Sequence, residues 1–214
     1  MGGIILNNLY QLDQFLTKEY FYYFLRKSGF HKRFKIGNAN QLFAKYRNLL
    51  MEAEDYPIIR GPEQNFNRDV QLGNGQFYTM SWDVNRAEEM IKEIKMKPKM
   101  IDISIIKPSV LQADYNEEHL DYALENQDPI IIGYYPQLKE KYVIIDGVHR
   151  VTARYKNNIK KIPAYDLQPS QHLQVMNGRI YQVLFKIHYN YLLLVRLSAG
   201  VLPKEIVLKK MYRL

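Results

Sequence analysis

Cysteine is absent from the 214 residues. That excludes a disulfide framework, a thiolate nucleophile, a zinc–thiolate site and an iron–sulfur cluster. It also suits a reducing compartment, so a cytoplasmic location is expected. Long hydrophobic runs are missing too. The most apolar stretch, 180–197, is broken by Lys186, His188, Asn190 and Arg196, whereas a membrane span needs about 20 largely uncharged apolar residues. It reads as a buried or half-buried helix, and no membrane partner is expected. The opening Met1-Gly2-Gly3-Ile4-Ile5-Leu6 has neither a basic leader nor a long apolar h-region. Gly2 is not followed by the Ser or Thr that a myristoylation signal wants. No targeting segment is therefore expected.

What the chain does have is ordinary globular material with a charge bias. It is 47% hydrophobic and 24% charged, with 18 tyrosines against one tryptophan; that is enough apolar surface for a core and argues against a disordered chain. The net charge is +8, unevenly spread. Residues 1–99 hold 15 Lys and Arg against 11 Asp and Glu, residues 100–170 hold 8 against 10, and residues 171–214 hold 7 against 1. Basic flanks around a near-neutral middle raise the prospect of an anionic partner: nucleotide, nucleic acid or acidic lipid.

Periodicity divides the chain into three parts. Residues 1–97 form a mainly helical basic region. Leu12, Phe15, Leu16, Tyr20, Tyr23 and Phe24 predict a helix ending near Ser28-Gly29, and a second is predicted over 40–53. Pro57, Gly61, Pro62, Gly73 and Gly75 mark 55–75 as a loop or boundary. A short strand follows over 76–82, then a helix over 84–94 with Asp83 as its N-cap. Residues 98–171 alternate strand and helix: strand 100–106 ended by Lys107-Pro108, helix 116–124, strands 129–134 and 142–146 joined by a polar hairpin loop, helix 149–157 and strand 162–167. Residues 172–214 form a basic helical extension packing on that core. The fold class expected is α+β, a small mixed sheet with helices between two mainly helical segments.

The segment that carries chemistry is Tyr142-Val143-Ile144-Ile145-Asp146-Gly147-Val148-His149-Arg150-Val151-Thr152-Ala153-Arg154. An apolar strand runs into Asp-Gly, and a helix starts within three residues. The first N–H groups of a helix are unpaired and its dipole is positive there, so anions settle at such a junction. Gly147 lets the chain turn and lets a phosphate approach the backbone. His149 and Arg150 add donors, and Arg grips phosphate oxygens bidentately. Arg154 lies four residues beyond Arg150, on the same helix face. Asp-Gly is also a common turn dipeptide, and His149 also fits a structural role.

This stretch resembles the ParB/sulfiredoxin-like superfamily over roughly 100–171. Gly147-Val148-His149-Arg150 followed by Thr152-Ala153 is similar to the family's Gly-x-Arg-Arg-x-x-Ala and Gly-Cys-His-Arg signatures. Ile105-Ile106-Lys107-Pro108-Ser109-Val110 looks like its basic-residue-before-proline segment, and Lys160-Lys161-Ile162-Pro163-Ala164 like its closing Ile-Pro strand. Sulfiredoxin chemistry itself is excluded, because its cysteine is replaced by Val148. The superfamily's serine-kinase members carry Asp-Gly-x-x-Arg, matched by Asp146 and Arg150, but Lys107 stands near where their loop Glu is expected.

The resemblance implies a nucleotide-binding protein that hydrolyses a nucleoside phosphate or transfers its phosphoryl group. A nucleoside di- or triphosphate (ATP, ADP or CTP), with Mg²⁺, would be its ligand. Lys107, Gly147, Val148, His149, Arg150 and Arg154 would hold the phosphates, with Asp146 and His149 catalytic. The alternative is a non-enzymatic, DNA-associated ParB-like binding or regulatory protein, with DNA or RNA bound through its basic flanks. Lys32, Arg33 and Lys35 are the candidate contacts, in a stretch (26–47) that has seven basic and no acidic residues.

Overall fold

The computed structural model of the protein describes residues 15–53, 65–72, 77–110 and 117–214. The first fourteen residues, with the expectations attached to them, lie outside this set. So do Pro57, Gly61, Pro62, Gly73 and Gly75. The chain divides into two compact units. Of the described residues, the first unit takes 15–53, 69–72, 77–80 and 178–214, and the second takes 65–68, 81–110 and 117–177.

The first unit is built on helices α1 (Lys18–Lys27) and α2 (Ala39–Glu52). Residues 15–17 precede α1 rather than continue it, because the Thr17 side chain accepts the Tyr20 N–H at 3.2 Å and caps the helix there. Many of the tyrosines and phenylalanines serve this unit's core. The buried ring of Tyr191 stacks on Phe15 at 4.5 Å and meets Phe21, Phe24 and Phe43 at 5.2–5.9 Å. Tyr191 belongs to the long helix foreseen between 180 and 197, which runs Arg179–Ser198 and buries residues all round its circumference. Several buried polar groups of the unit are paired, although the Tyr191 hydroxyl has no hydrogen-bond partner among the described residues. The Tyr78 hydroxyl lies 2.6 Å from His188 Nδ1, and Asn190 both donates to the Tyr212 carbonyl and accepts from its N–H. A further helix, Lys204–Lys210, packs against the long one.

Two strands contribute residues to each unit. They are β1 (Asn65–Gln71), in a stretch expected to be loop, and β2 (Phe77–Asp83), paired in a two-stranded sheet. In the second unit, α3 (Val84–Glu93) starts where expected, with Asp83 Oδ1 accepting from Arg86 N at 2.9 Å.

The second unit centres on a four-stranded mixed sheet in the order β3 (Lys99–Asp102), β6 (Lys161–Leu167), β4 (Ile130–Tyr134), β5 (Tyr142–Asp146). β4 runs parallel to β6, and the β3–β6 and β4–β5 pairs are antiparallel. The fold class is α+β, as expected. The strand expected over 100–106 is corrected. β3 stops at Asp102, whose carboxylate accepts the Ser104 N–H at 2.9 Å, and helix α4 (Ile103–Val110) follows. Helical spacing overrides strand alternation: Ile103, Ile106 and Val110 are buried while Ile105 is 51% exposed. These three join Ile130, Ile132, Ile144, Val151, Ile162 and Ala164 in the core of the unit. Between α4 and β4 lies a short 3₁₀ turn, Glu117–His119, leading into α5 (Leu120–Glu125). Helix α6 (Val148–Lys156) follows β5 directly.

Among the described residues, no helix is long and apolar enough to cross a membrane.

Candidate functional site

Buried aliphatics of β4 and β5 around Asp146 set the position of the site. Ile130, Ile144 and Ile145 are at most 2% exposed, so the strand ends are fixed from both faces of the sheet. At the end of β5 the chain turns in one residue. Gly147 takes φ +93°, and a Cβ there would fall 2.5 Å from Ile130 Cγ2 and 2.9 Å from Arg150 Nη2. Glycine is thus required twice, for the left-handed backbone and for the guanidinium that lies over it. Val148 opens α6, and its side chain packs on the sheet core. The first N–H groups of α6 have no intrahelical partner, and Gly147 offers them no side-chain cap.

The junction opens into a cleft of about 410 Å³, lined by His119, Tyr122, Ala123, Asn126, Asp146, Gly147, His149 and Arg150. This falls within the size range of small-ligand sites, roughly 300–1,000 Å³. One wall is α6 and the other is the 3₁₀ turn with α5, and the two are cross-linked. Arg154, 3% exposed, donates to the Asn126 carbonyl at 2.9 Å and to Gln127 Oε1 at 3.1 Å. Lys156 pairs with Glu117 at 3.0 Å. The His119 and His149 rings lie 5.4 Å apart across the gap.

Charge in the cleft is partly spent internally. Arg150 Nη2 pairs with Asp146 Oδ2 at 2.5 Å, with side chains 15% and 29% exposed. Among the described residues, Arg150 Nε and Arg154 Nη1 are nevertheless buried without a hydrogen-bond partner. Burial, and secondarily the facing His119, push the His149 imidazole below the usual histidine range. Near neutral pH it is an uncharged donor–acceptor rather than a cation. Burial, with the Arg150 charge adding to it, also lowers the Arg154 guanidinium from its usual value.

Four of the residues expected at the site come together on the cleft: Asp146, Gly147, His149 and Arg150. Val148 contributes its position at the helix start. Arg154 ties the two walls together instead of lining the cleft. Lys107 is elsewhere: its Nζ lies 4.6 Å over the Tyr155 ring, a cation–π contact between α4 and α6. The Ser109 hydroxyl, two residues on, donates to the Tyr142 carbonyl of β5. His119, Tyr122, Ala123 and Asn126 join the site without having been expected there. Their spacing of three, four and seven residues is the signal that they share one face. Lys32, Arg33 and Lys35 belong to the first unit, on the exposed connection between α1 and α2.

An Mg²⁺ ion would find one carboxylate in the cleft lining, Asp146. That fits a cation held by one carboxylate and by substrate phosphates. No family model, curated protein or solved structure matches the chain.

Proposed function

We propose that the cleft at the β5–Gly147–α6 junction binds a nucleoside phosphate and supports hydrolysis or transfer of its phosphoryl group. The observation that carries this is Arg150 Nε, buried and without a hydrogen-bond partner among the described residues, in the first turn of α6. A buried guanidinium N–H without an acceptor costs free energy, and an anion seated at the helix start would satisfy it together with the backbone donors. The motif-level likeness to the ParB/sulfiredoxin-like superfamily supports the same reading. Tyr122, 75% exposed on the cleft rim, offers a face on which a base can stack.

The ion pair gives the cleft its chemistry. An incoming phosphate competes with Asp146 for Arg150. As the guanidinium swings to the phosphate oxygens, Asp146 gains a free carboxylate oxygen next to them. That oxygen takes the proton of the attacking hydroxyl or water as the new P–O bond forms, and the bond to the leaving phosphate breaks with its electrons staying on the leaving oxygen. His149, uncharged, orients the acceptor. Mg²⁺, when bound with the nucleotide, would neutralise phosphate charge.

Thermal shift and calorimetric titration with ATP, ADP, CTP and GTP, each with and without Mg²⁺, test the reading. Arg150→Ala is expected to weaken binding by about 1.5–3 kcal/mol, the scale of a hydrogen bond to a charged group. Asp146→Asn removes the competitor for Arg150 and the proton acceptor together, so affinity should hold or rise while turnover falls. Wild-type protein that shows no response to any of the four nucleotides at millimolar concentration would overturn the proposal.

A further inference from the structure

The two units differ sharply in charge. Among the described residues, the first unit holds 15 Lys and Arg against 4 Asp and Glu, and the second holds 14 against 13. All four ion pairs seen among the described residues, Arg68–Glu140, Lys92–Glu88, Arg150–Asp146 and Lys156–Glu117, lie in the second unit. The four carboxylates among the unit's described residues, Glu19, Glu52, Asp69 and Glu205, are exposed and scattered.

Within that unit, His31-Lys32-Arg33-Phe34-Lys35 is a run of five consecutively exposed residues, yet its backbone is not loose. Arg33 N and Phe34 N both donate to the Ser198 carbonyl, at 2.8 and 3.1 Å, and Ser198 Oγ donates back to the Phe34 carbonyl at 2.8 Å. Ser198 is fully buried at the C-terminal end of the long helix. The latch extends to side-chain stems: a Cβ on Gly200 would stand 2.7 Å from Arg33 Cδ and 3.4 Å from Phe34 Cε2. Lys32 lies over the Tyr22 ring at 4.6 Å and Lys27 over Tyr23 at 5.7 Å.

The carbonyl end of a helix attracts cations, which accounts for a basic residue at this place. It does not account for Phe34, a large ring left 57% exposed among Lys32, Arg33 and Lys35 on a backbone held in place. Exposed aromatics interleaved with cations on a rigid support are what single-stranded nucleic acid binding needs: cations track the phosphates and rings stack on the bases. We infer that the first unit binds single-stranded nucleic acid along the Lys32–Lys35 strip, with Phe34 as the stacking residue. This function is separate from nucleotide binding in the cleft. Recognition runs through phosphates and base faces, so the strand is bound without regard to sequence.

The test is fluorescence anisotropy on the full chain with labelled oligo-dT of about 15 nucleotides, the upper size of a small single-strand site. Wild-type protein should bind at low salt, with an affinity that falls as salt rises. Lys32→Glu with Lys35→Glu should cost about tenfold or more and flatten the salt slope by about 0.7 for every phosphate that the variant no longer neutralises. Phe34→Ala should cost about fivefold or more while leaving the slope unchanged, because stacking is not electrostatic. All these side chains are exposed, and an unaltered melting temperature establishes that the variants are folded. No binding of oligo-dT at low salt overturns the inference. So does duplex DNA bound as tightly as the single strand, polyglutamate competing as well as oligo-dT per charge, or Phe34→Ala binding like wild type. Nucleotide binding in the cleft is read separately, and neither result depends on the other.

Discussion

Arg150 donates from Nη2 to Asp146, four residues back, and to the Pro129 carbonyl, while its buried Nε has no hydrogen-bond partner among the described residues. Its position over Gly147 makes the glycine inseparable from the site. Gly147→Ala sets a methyl carbon 2.5 Å from Ile130 Cγ2 and forces a left-handed backbone on a residue with a Cβ. The expected destabilisation is roughly 1–3 kcal/mol from backbone strain, before any repacking of Ile130. Urea unfolding checks it; a midpoint equal to wild type would show that the turn at 147 is not held as described. That Asp146, Gly147, His149 and Arg150 share one cleft is legible in the sequence, because an apolar strand running through Asp-Gly into a helix places them at one junction. The partner of each is not. Lys107, expected at the phosphates, instead covers Tyr155, since which ring a long side chain reaches depends on how α4 packs on α6.

At the scale of elements, a helix with a capping residue in its sequence is legible and one with a masked cap is not. Asp83 announces α3, and its carboxylate does cap the helix by accepting the Arg86 N–H. Asp83→Ala is expected to cost about 1 kcal/mol, and Asp83→Asn much less; comparing the two by urea midpoint separates the cap from any general surface effect. The strand Tyr142–Asp146 is legible to the residue, because its buried aliphatics and its Asp-Gly end leave no other register. Asp102 could equally signal the start of α4. Its signal is masked by alternating isoleucines at 101, 103 and 105, which suit a strand until the helical period of 103, 106 and 110 is compared with it. Strand β1 escapes notice for a different reason: Asn65-Phe66-Asn67-Arg68-Asp69 has the composition of a loop. Its pairing with β2 supplies what its own sequence does not.

For the whole molecule, each unit contains a buried histidine kept neutral. Burial lowers His188 to about 3 in the first unit, and lowers His172 to about 4 in the second despite its contact with the Tyr134 carbonyl. Unfolding restores both to near 6.5. Below that value the unfolded chain takes up protons that the folded protein refuses, so stability declines as pH falls from about 6.5 toward 4. Each histidine contributes a slope of up to about 1.4 kcal/mol per pH unit, and neither contributes above about pH 6.5. Urea unfolding between about pH 7 and 5 should show this decline, and His188→Gln should reduce its steepness. An equal slope in that variant would mean that His188 is protonated in the folded state. The three consecutive segments suggested by composition do not reveal which parts of the chain pack together, because joining residues 15–53 to 178–214 is a long-range event that local periodicity does not record.

That discontinuity has a consequence for how the protein is made. Tyr191, around which Phe15, Phe21, Phe24 and Phe43 close, is synthesised long after every one of its ring partners. At about 5–20 residues per second, α1 and α2 wait roughly 7 to 30 seconds with their aromatic faces uncovered. The second unit, complete at residue 177, has no such wait for a distant helix. The nascent chain therefore carries the aromatic faces of α1 and α2 before the helix that covers them, and apolar surface exposed in that interval favours aggregation.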